Sequence, residues 1–181
     1  MRVIAGSARR LQLLTPRGLK TRPTQDRVKE TLFNILQNEV EGAYFLDLFA
    51  GSGQMGIEAL SRGARAASFV DQGREAIACI QENLRRCHLE KRAKVIASDV
   101  SSALALWDRR DLPDLVFMDP PYGQDFEEGV LRQLRDLLRA NAIVIIESPL
   151  NSDFSYAESL GYQIDRIKRY KTNQHVFLSL E

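Results

Sequence analysis

The sequence predicts an α/β protein with a doubly wound, mostly parallel sheet and an antiparallel hairpin at its C-terminal end. From residue 44 onward, short runs that are apolar throughout alternate with amphipathic helical segments. This pattern is typical of parallel strands that are covered by helices on both faces. The last two strand-like runs are separated by only three residues, so we expect them to pair antiparallel. A length of 181 residues fits one domain.

The first 43 residues precede this pattern and form a basic extension of the same globule. Residues 2–5 and 11–14 predict a short β-hairpin around a turn at Gly6 and Ser7. A helix is expected to begin at Pro23 and to end near Gly42, because apolar residues recur there at helical spacing. We therefore divide the chain into an extension, residues 1–43, and a main α/β unit, residues 44–181.

The main unit contains five apolar runs that predict parallel strands, at residues 44–49, 67–71, 94–98, 115–119 and 142–147. Helices are expected at residues 74–87 and 126–139, where apolar side chains share one face. Residues 162–170 and 174–180 predict the antiparallel hairpin.

The composition excludes several classes of protein. Hydrophobic residues make up 44% and charged residues 27%, as in soluble globular proteins. The apolar runs are far shorter than the roughly 20 residues that span a bilayer, and residues 1–10 lack a signal peptide. Cys79 and Cys87 lie on one predicted helix, which favours free thiols over a disulfide or a metal site. We expect a cytoplasmic protein without a membrane segment and without a metal.

Positive charge is concentrated at the start of the chain. The first 30 residues hold eight Lys or Arg against two Asp or Glu, although the whole chain has a net charge of only +1. Such a segment either binds a polyanion or forms a solvated basic face. The candidate residues for binding a polyanion such as RNA are Arg2, Arg9, Arg10, Arg17, Lys20 and Arg27. A second basic edge at residues 166–171 has the same two interpretations, since Lys and Arg also protect edge strands.

A glycine-rich loop, GxGxxG, follows the first predicted strand and opens a helix. Gly51 permits a tight turn, Gly53 lets a ligand approach the backbone, and Gly56 lets the helix and strand pack closely. Asp71 ends the next strand 20 residues after Gly51, where a carboxylate accepts hydrogen bonds from ribose hydroxyls. These features fit either a dinucleotide enzyme or a methyltransferase that uses S-adenosylmethionine.

Further acids favour S-adenosylmethionine over a dinucleotide. Asp47 precedes the glycines, where it meets an ammonium group, and the amides around Ser52 suit the cofactor's carboxylate. Asp99 and Val100 end the third strand and suit an adenine edge. Each Asp alone is commonly a helix cap or a turn residue. Their recurrence at successive strand ends, where open α/β sheets bind ligands, favours a site.

The fourth strand ends in Asp119, Pro120, Pro121 and Tyr122. Two prolines cannot continue a central strand, so the chain turns out at the carboxyl edge of the sheet. An exocyclic base amine is a poor nucleophile, and acceptors such as the Asp119 carboxylate and the Pro120 carbonyl can orient its lone pair. Tyr122 offers a ring on which a flipped base can stack. Asp119 can also take up the released proton.

The chain resembles the RsmD family, the 16S ribosomal RNA guanine-N2-methyltransferases. The resemblance rests on residues 22–34, RPTQDRVKETLFN, together with residues 1–6, 47–56, 58–63 and 119–122. It implies methylation of one guanine in a small ribosomal subunit or assembly intermediate by S-adenosylmethionine, with S-adenosylhomocysteine as product and no metal. It also implies that Arg22 and Thr24 lie near the methionine end of the cofactor. Gln54 and Met55 depart from the small or Leu residues that the family has in this loop, but the glycines are intact. We expect a monomer.

Other functions stay open at this point. An adenine-N6-methyltransferase acting on RNA or DNA would use the same acceptors. A protein-glutamine methyltransferase typically has Asn where Asp119 stands. From different classes, a nicotinamide-dependent oxidoreductase would share the glycine loop, and a non-catalytic RNA-binding assembly factor would bind RNA without methyl transfer.

Overall fold

A computed structural model describes residues 1–16, 26–121 and 126–181. Its strands are β1 (Tyr44–Leu48), β2 (Ala66–Asp71), β3 (Ala93–Ala97), β4 (Leu115–Met118), β5 (Ile143–Pro149), β6 (Tyr162–Arg169) and β7 (Asn173–Leu180). Within the described residues these seven strands form one sheet in the order β3-β2-β1-β4-β5-β7-β6. The first five are parallel, and β7 pairs antiparallel with both β5 and β6. The predicted doubly wound sheet with its antiparallel hairpin is confirmed.

The helices are α1 (Asp26–Ile35), α2 (Gln54–Ser61), α3 (Arg74–Cys87), α4 (Val100–Ala105) and α5 (Phe126–Leu134). Helix α3 has the predicted bounds. Helix α1 ends seven residues before Gly42, because only a turn connects Leu36 to the buried Val40. Helix α5 ends at Leu134 and continues as a short 3-10 helix, Arg135–Leu137.

The predicted N-terminal hairpin is only partly formed. Backbone hydrogen bonds join Arg10 to Val3, Val3 to Leu11 and Leu13 to Met1, but the only bridge assigned in the described part of this segment pairs Arg2 with Gln12. The turn is longer than a two-residue turn at Gly6 and Ser7. Its backbone is held by helix α2, because the amide of Ser7 donates to the Ser61 carbonyl. We call residues 1–14 the N-terminal arm.

The two faces of the sheet carry separate hydrophobic cores. One core contains arm residues with α1, α2 and α3, and the other contains α4, α5 and the segment before β6. Val3, Ala8 and Leu13 of the arm are buried in the first core. We call the face of the sheet that carries this core the arm face. The described part of the extension is therefore packed into the main unit. Cys79 and Cys87 are buried free thiols of α3. No helix among the described residues has the length and apolar character that a membrane span requires.

Candidate active site

Four carboxylates lie on the arm face at the carboxyl ends of neighbouring strands. Each follows by two positions a residue that is buried in the arm-face core, and side chains two residues apart in a strand share a face. The carboxylates are Asp47, Asp71, Asp119 and Glu147, and the buried residues are Phe45, Phe69, Phe117 and Ile145. The structure thus brings together three predicted acids and adds Glu147, which the sequence analysis did not identify.

Asp47 is buried beneath the start of α2. Its Oδ2 accepts a hydrogen bond of 2.9 Å from the amide of Gly56, in the first turn of that helix. Burial raises the pKa of Asp47 well above its usual value, and the nearby Asp71 and Asp119 raise it further, while the Gly56 hydrogen bond opposes them. A buried carboxylate of this kind is stabilised by a cation, which is consistent with the predicted ammonium partner.

Asp71 holds the backbone of the loops at the ends of β1 and β2. Its two oxygens accept from the amides of Gly51 and Gly73, each at 2.8 Å. Each oxygen retains a second lone pair, so the carboxylate can still accept a hydroxyl of a ligand. Asp71 ends β2 as predicted, but the prediction did not include its role in shaping the loop. Its contact with a ribose stays a prediction.

The three glycines of the loop have different roles. Gly51 has φ +56°, and a Cβ there would meet only the Phe49 carbonyl at 4.0 Å, so this position is open. At Gly56 a Cβ would lie 2.3 Å from Cε1 of Phe69, which confirms close packing of helix on strand. Gly53 was predicted to admit a ligand, but a Cβ there would instead crowd Ile80 and Phe69 at 3.2–3.3 Å. The open position is therefore Gly51.

Asp99 and Val100 begin helix α4. The side chain of Asp99 is exposed and accepts from the amide of Ser102 at 2.9 Å, so it is an N-cap, and these hydrogen bonds lower its pKa. Val100 is buried in the core of the opposite face. The structure gives both residues a structural role, and only the exposed carboxylate of Asp99 is free to meet a ligand.

Asp119 follows β4 and is partly buried, and Pro120 is buried beside it. Burial is the main cause that raises the pKa of Asp119 to about 8, and the neighbouring Glu147 contributes. Pro121 is exposed. Tyr122 lies outside the described residues. Phe49, which precedes the glycine loop with the unusual φ of +58°, has its ring 5.6 Å from that of Phe126.

Glu147 is held by residues of the C-terminal hairpin. Its oxygens accept from Asn173 Nδ2 at 2.5 Å and contact His175 Nε2 at 3.1 Å. The Tyr170 hydroxyl is 3.2 Å from His175 Nδ1. The pKa of Tyr170 is raised to about 12 by burial and by the Glu147 charge. A fixed second carboxylate thus stands one strand away from Asp119.

The glycine loop is also fastened to the N-terminal arm. Asn83 of α3 donates to the carbonyls of Ser52 and Leu14 at 2.9 and 3.0 Å, and it accepts from the Leu14 amide at 2.8 Å. The Ser52 hydroxyl, predicted to lie near the cofactor, is 3.4 Å from the sulfur of Met1. Arg22 and Thr24 lie outside the described residues.

The predicted RNA-binding residues differ in their environments. Arg9, Arg10 and Arg27 are exposed, whereas Arg2 pairs with Asp26 at 3.1 Å. Arg17 and Lys20 lie outside the described residues. Lys29, one of the cations that make the first 30 residues basic, is fully buried. Its Nζ is 3.5 Å from Glu58 and donates to the Arg2 carbonyl, so its charge is paired inside the protein and is not available to bind RNA.

The fold, the glycine loop and the acidic edge define a methyltransferase with a Rossmann-like sheet. The solved structure of the Escherichia coli protein yhhF superposes with a TM-score of 0.85 at 33% identity, covering 100% of this chain and 98% of that one. SMU.776, solved with S-adenosylhomocysteine, has a TM-score of 0.70 at 17% identity and covers 84% of this chain and 49% of that one. At that identity the likeness concerns the fold alone.

The chain belongs to the RsmD family. The family model described as "Conserved hypothetical protein 95" matches residues 1–179. Ribosomal RNA small subunit methyltransferase D of Haemophilus influenzae is 37% identical over 154 residues, which cover 82% of this chain and 78% of that protein. The protein of the same name from Escherichia coli K12 is 36% identical over 155 residues, covering 84% and 76%.

Proposed function

We propose that this protein transfers a methyl group from S-adenosylmethionine to the exocyclic N2 amine of a guanine in 16S ribosomal RNA, within a small ribosomal subunit or an assembly intermediate, in the cytoplasm. The observation that carries the proposal is the position of Asp119. It lies beside two prolines on the same face and edge of the sheet as Asp47 and the glycine loop. The names of the relatives support an RNA of the small subunit as substrate.

The residues present fit the cofactor. The backbone at Gly51 is open, and among the described residues Oε1 of Gln54, at the start of α2, is buried without a hydrogen-bond partner. The buried Asp47 suits the ammonium group, the amides at the start of α2 suit the carboxylate, and Asp71 suits the ribose. When bound, S-adenosylmethionine supplies an electrophilic methyl group.

Asp119 orients the target amine and takes up its proton. Its carboxylate accepts one N–H of the amine and the Pro120 carbonyl accepts the other, which turns the nitrogen lone pair outward. A pKa of about 8 suits a group that must accept a proton near neutral pH. Metal-binding clusters of three or more His, Cys, Asp or Glu are absent from the described part of the chain, and none of these steps calls for one.

Methyl transfer to small ribosomal subunits that lack the modification tests the proposal. Labelled S-adenosylmethionine is the donor, and mass spectrometry of the nucleosides identifies the product. We expect N2-methylguanosine. N6-methyladenosine as the product would show that the target base is an adenine and not a guanine. RNA binding without any methyl transfer would favour the non-catalytic assembly factor.

The Asp119→Asn variant tests the role of the carboxylate in the same assay. Turnover should fall by about 10²–10⁴-fold while S-adenosylhomocysteine binding is kept, because proton transfer and amine orientation are lost together. Glu90→Gln, an exposed change before β3 at the opposite edge of the sheet, is the matched control. Unchanged turnover of Asp119→Asn would remove Asp119 from the chemistry.

A further inference from the structure

The outer strand β6 carries cations to which the proposed function assigns no role. Seven of its eight residues are exposed, and its cations are Arg166, Lys168 and Arg169, followed in the turn by Lys171. Within the described residues none of these four forms an ion pair within 4.0 Å, whereas Arg85, Arg110 and Arg132 on the surface elsewhere do. The one carboxylate of the strand, Asp165, lies in a β-bulge between Ile164 and Arg166.

Strand directions bring the end of β6 to the edge where Asp119 lies. Strand β5 is parallel to β4, and its last residue, Pro149, pairs with Asn173 at the start of β7. Strand β6 is antiparallel to β7, so its last residues pair with the first residues of β7. Lys168 and the turn residue Lys171 therefore lie at the carboxyl edge of the parallel strands.

The register also fixes the face. Cross-strand partners project to the same face of a sheet. Lys168 pairs with His175, whose ring is 5.9 Å from that of Phe117, and Arg166 pairs with Phe177. Phe117 and Phe177 belong to the arm-face core. Arg166 and Lys168 are thus on the face of the four carboxylates and the arm, whereas Arg169 pairs with Gln174 and projects to the other face.

We propose that Arg166, Lys168 and Lys171 form a second RNA-binding surface, which binds backbone phosphates flanking the target nucleotide. The inference rests on the proposed function, since it takes ribosomal RNA as the substrate. The surface complements the acidic active site, which repels phosphate by itself. Strand β6 lies three positions from β4 in the sheet, so its cations meet phosphates of flanking nucleotides and neutralise the backbone while the base enters the site.

The test replaces these three residues by glutamine and measures binding to deproteinised 16S ribosomal RNA at several salt concentrations. Each lost phosphate contact lowers the slope of log affinity against log salt by about 0.7–0.9, so the slope should fall by about 2–3. We expect affinity near 0.1 M salt to fall by about tenfold or more. All three residues are exposed, so the melting temperature should be unchanged.

The matched control replaces Arg86, Lys91 and Arg109 by glutamine. These exposed cations lie in the last turn of α3, before β3 and before β4, at the opposite edge of the sheet. An unchanged salt slope in the β6 variant would overturn the inference, and so would an equal loss in the control, which would indicate net charge alone. If wild-type protein does not bind the RNA, the proposed substrate fails as well. If the β6 variant binds more weakly but wild-type protein yields no N2-methylguanosine, only the proposed reaction fails.

Discussion

At the scale of single residues, the carboxylates of Asp119 and Glu147 lie on neighbouring strand ends, where their negative charges repel each other. Among the described residues, Asn173 and His175 hold Glu147, and no hydrogen bond holds the Asp119 side chain. Burial and the Glu147 charge raise the pKa of Asp119, so this carboxyl keeps its proton to a higher pH than usual. A proton acceptor with a raised pKa is useful for catalysis but unfavourable for stability above neutral pH. The same residue therefore affects activity and stability in opposite directions.

Turnover should rise with pH through the pKa of Asp119. If its carboxylate must be ionised, the single-turnover rate of the wild type has a midpoint near pH 8. Glu147→Gln removes the like charge but retains hydrogen-bonding capacity toward Asn173 and His175, so the midpoint should move to lower pH. Rates measured from pH 6 to pH 9 check this. A midpoint that stays in place in the variant would show that Glu147 does not influence Asp119.

The stability of the free protein should show the opposite trend. The pKa of Asp119 is raised in the folded state, so ionisation costs stability progressively from about pH 4 to pH 8. Asp119→Asn should therefore raise the melting temperature by a few degrees at pH 8 and much less at pH 5. Asp99→Asn is the control, and its effect on the melting temperature should have the opposite sign. The pKa of the Asp99 carboxyl is lowered in the folded state, so removing its negative charge should destabilise the protein at pH 8.

At the scale of elements, the arm and helix α2 fit each other without spare room. A Cβ at Gly6 would lie 1.8 Å from the Ser61 carbonyl oxygen, and Gly6 has φ +81°. Gly42 has a similar φ, +74°, but a Cβ there would meet nothing within 4 Å. Comparing the two glycines separates the steric contact from backbone strain.

We expect Gly6→Ala to lower the free energy of unfolding by about 1–3 kcal/mol more than Gly42→Ala. Both changes carry the cost of a positive φ, and only Gly6→Ala forces the arm away from α2. Urea unfolding of the two variants measures the difference. Equal losses would mean that the arm shifts freely on α2.

Asn83 couples helix α3 to two loops at once, so its removal should affect both stability and ligand binding. Asn83→Ala removes the partner of the buried Ser52 carbonyl and of the Leu14 amide, which costs about 1–3 kcal/mol. Affinity for S-adenosylhomocysteine should fall as well, because Ser52 is in the glycine loop. Gln81→Ala, an exposed change on the same helix, should leave both quantities unaltered. Calorimetry of binding and melting provides the readouts.

At the scale of the whole molecule, the arm is part of the structural core. Glu58 is fully buried and accepts from the amides of Ile4 and Ala5 at 2.8 and 3.0 Å and from Arg62. It also forms an ion pair with Lys29 at 3.5 Å. A buried charge that loses its partners is strongly destabilising. Removing the arm therefore exposes apolar surface and also uncovers a charge.

Deletion of residues 1–14 should lower the melting temperature of the whole protein by about 10 °C or more, in a single transition. The loss follows from the burial of Val3, Ala8 and Leu13 at about 1.5–3 kcal/mol for a large apolar side chain. Arg9→Gln with Arg10→Gln changes only exposed charge and should leave the melting temperature unaltered. Calorimetry that shows an unchanged transition after deletion would contradict the packing described here.

Local sequence patterns were sufficient for the sheet, the glycine loop and the position of Asp119, because each depends on neighbouring residues. They were insufficient for contacts between distant segments. Glu147 and His175 are 28 residues apart and meet only when β7 inserts beside β5. The sequence indicated a surface position for Lys29, but in the structure Lys29 is buried and pairs with Glu58, which is 29 positions later in the chain. Asp99 follows a strand, as a ligand-binding residue would, but its side chain caps helix α4, which the sequence analysis had not identified.

The position of β7 between β5 and β6 has a consequence for the order of folding. During synthesis β6 leaves the ribosome before β7, yet β7 is the strand to which it is hydrogen-bonded. Until β7 arrives, the apolar edge of β5 is unpaired and Glu147 lacks both Asn173 and His175. Such long-range insertion is slow, and it exposes a strand edge that can aggregate. The nascent chain should therefore need chaperone protection until its active site is complete.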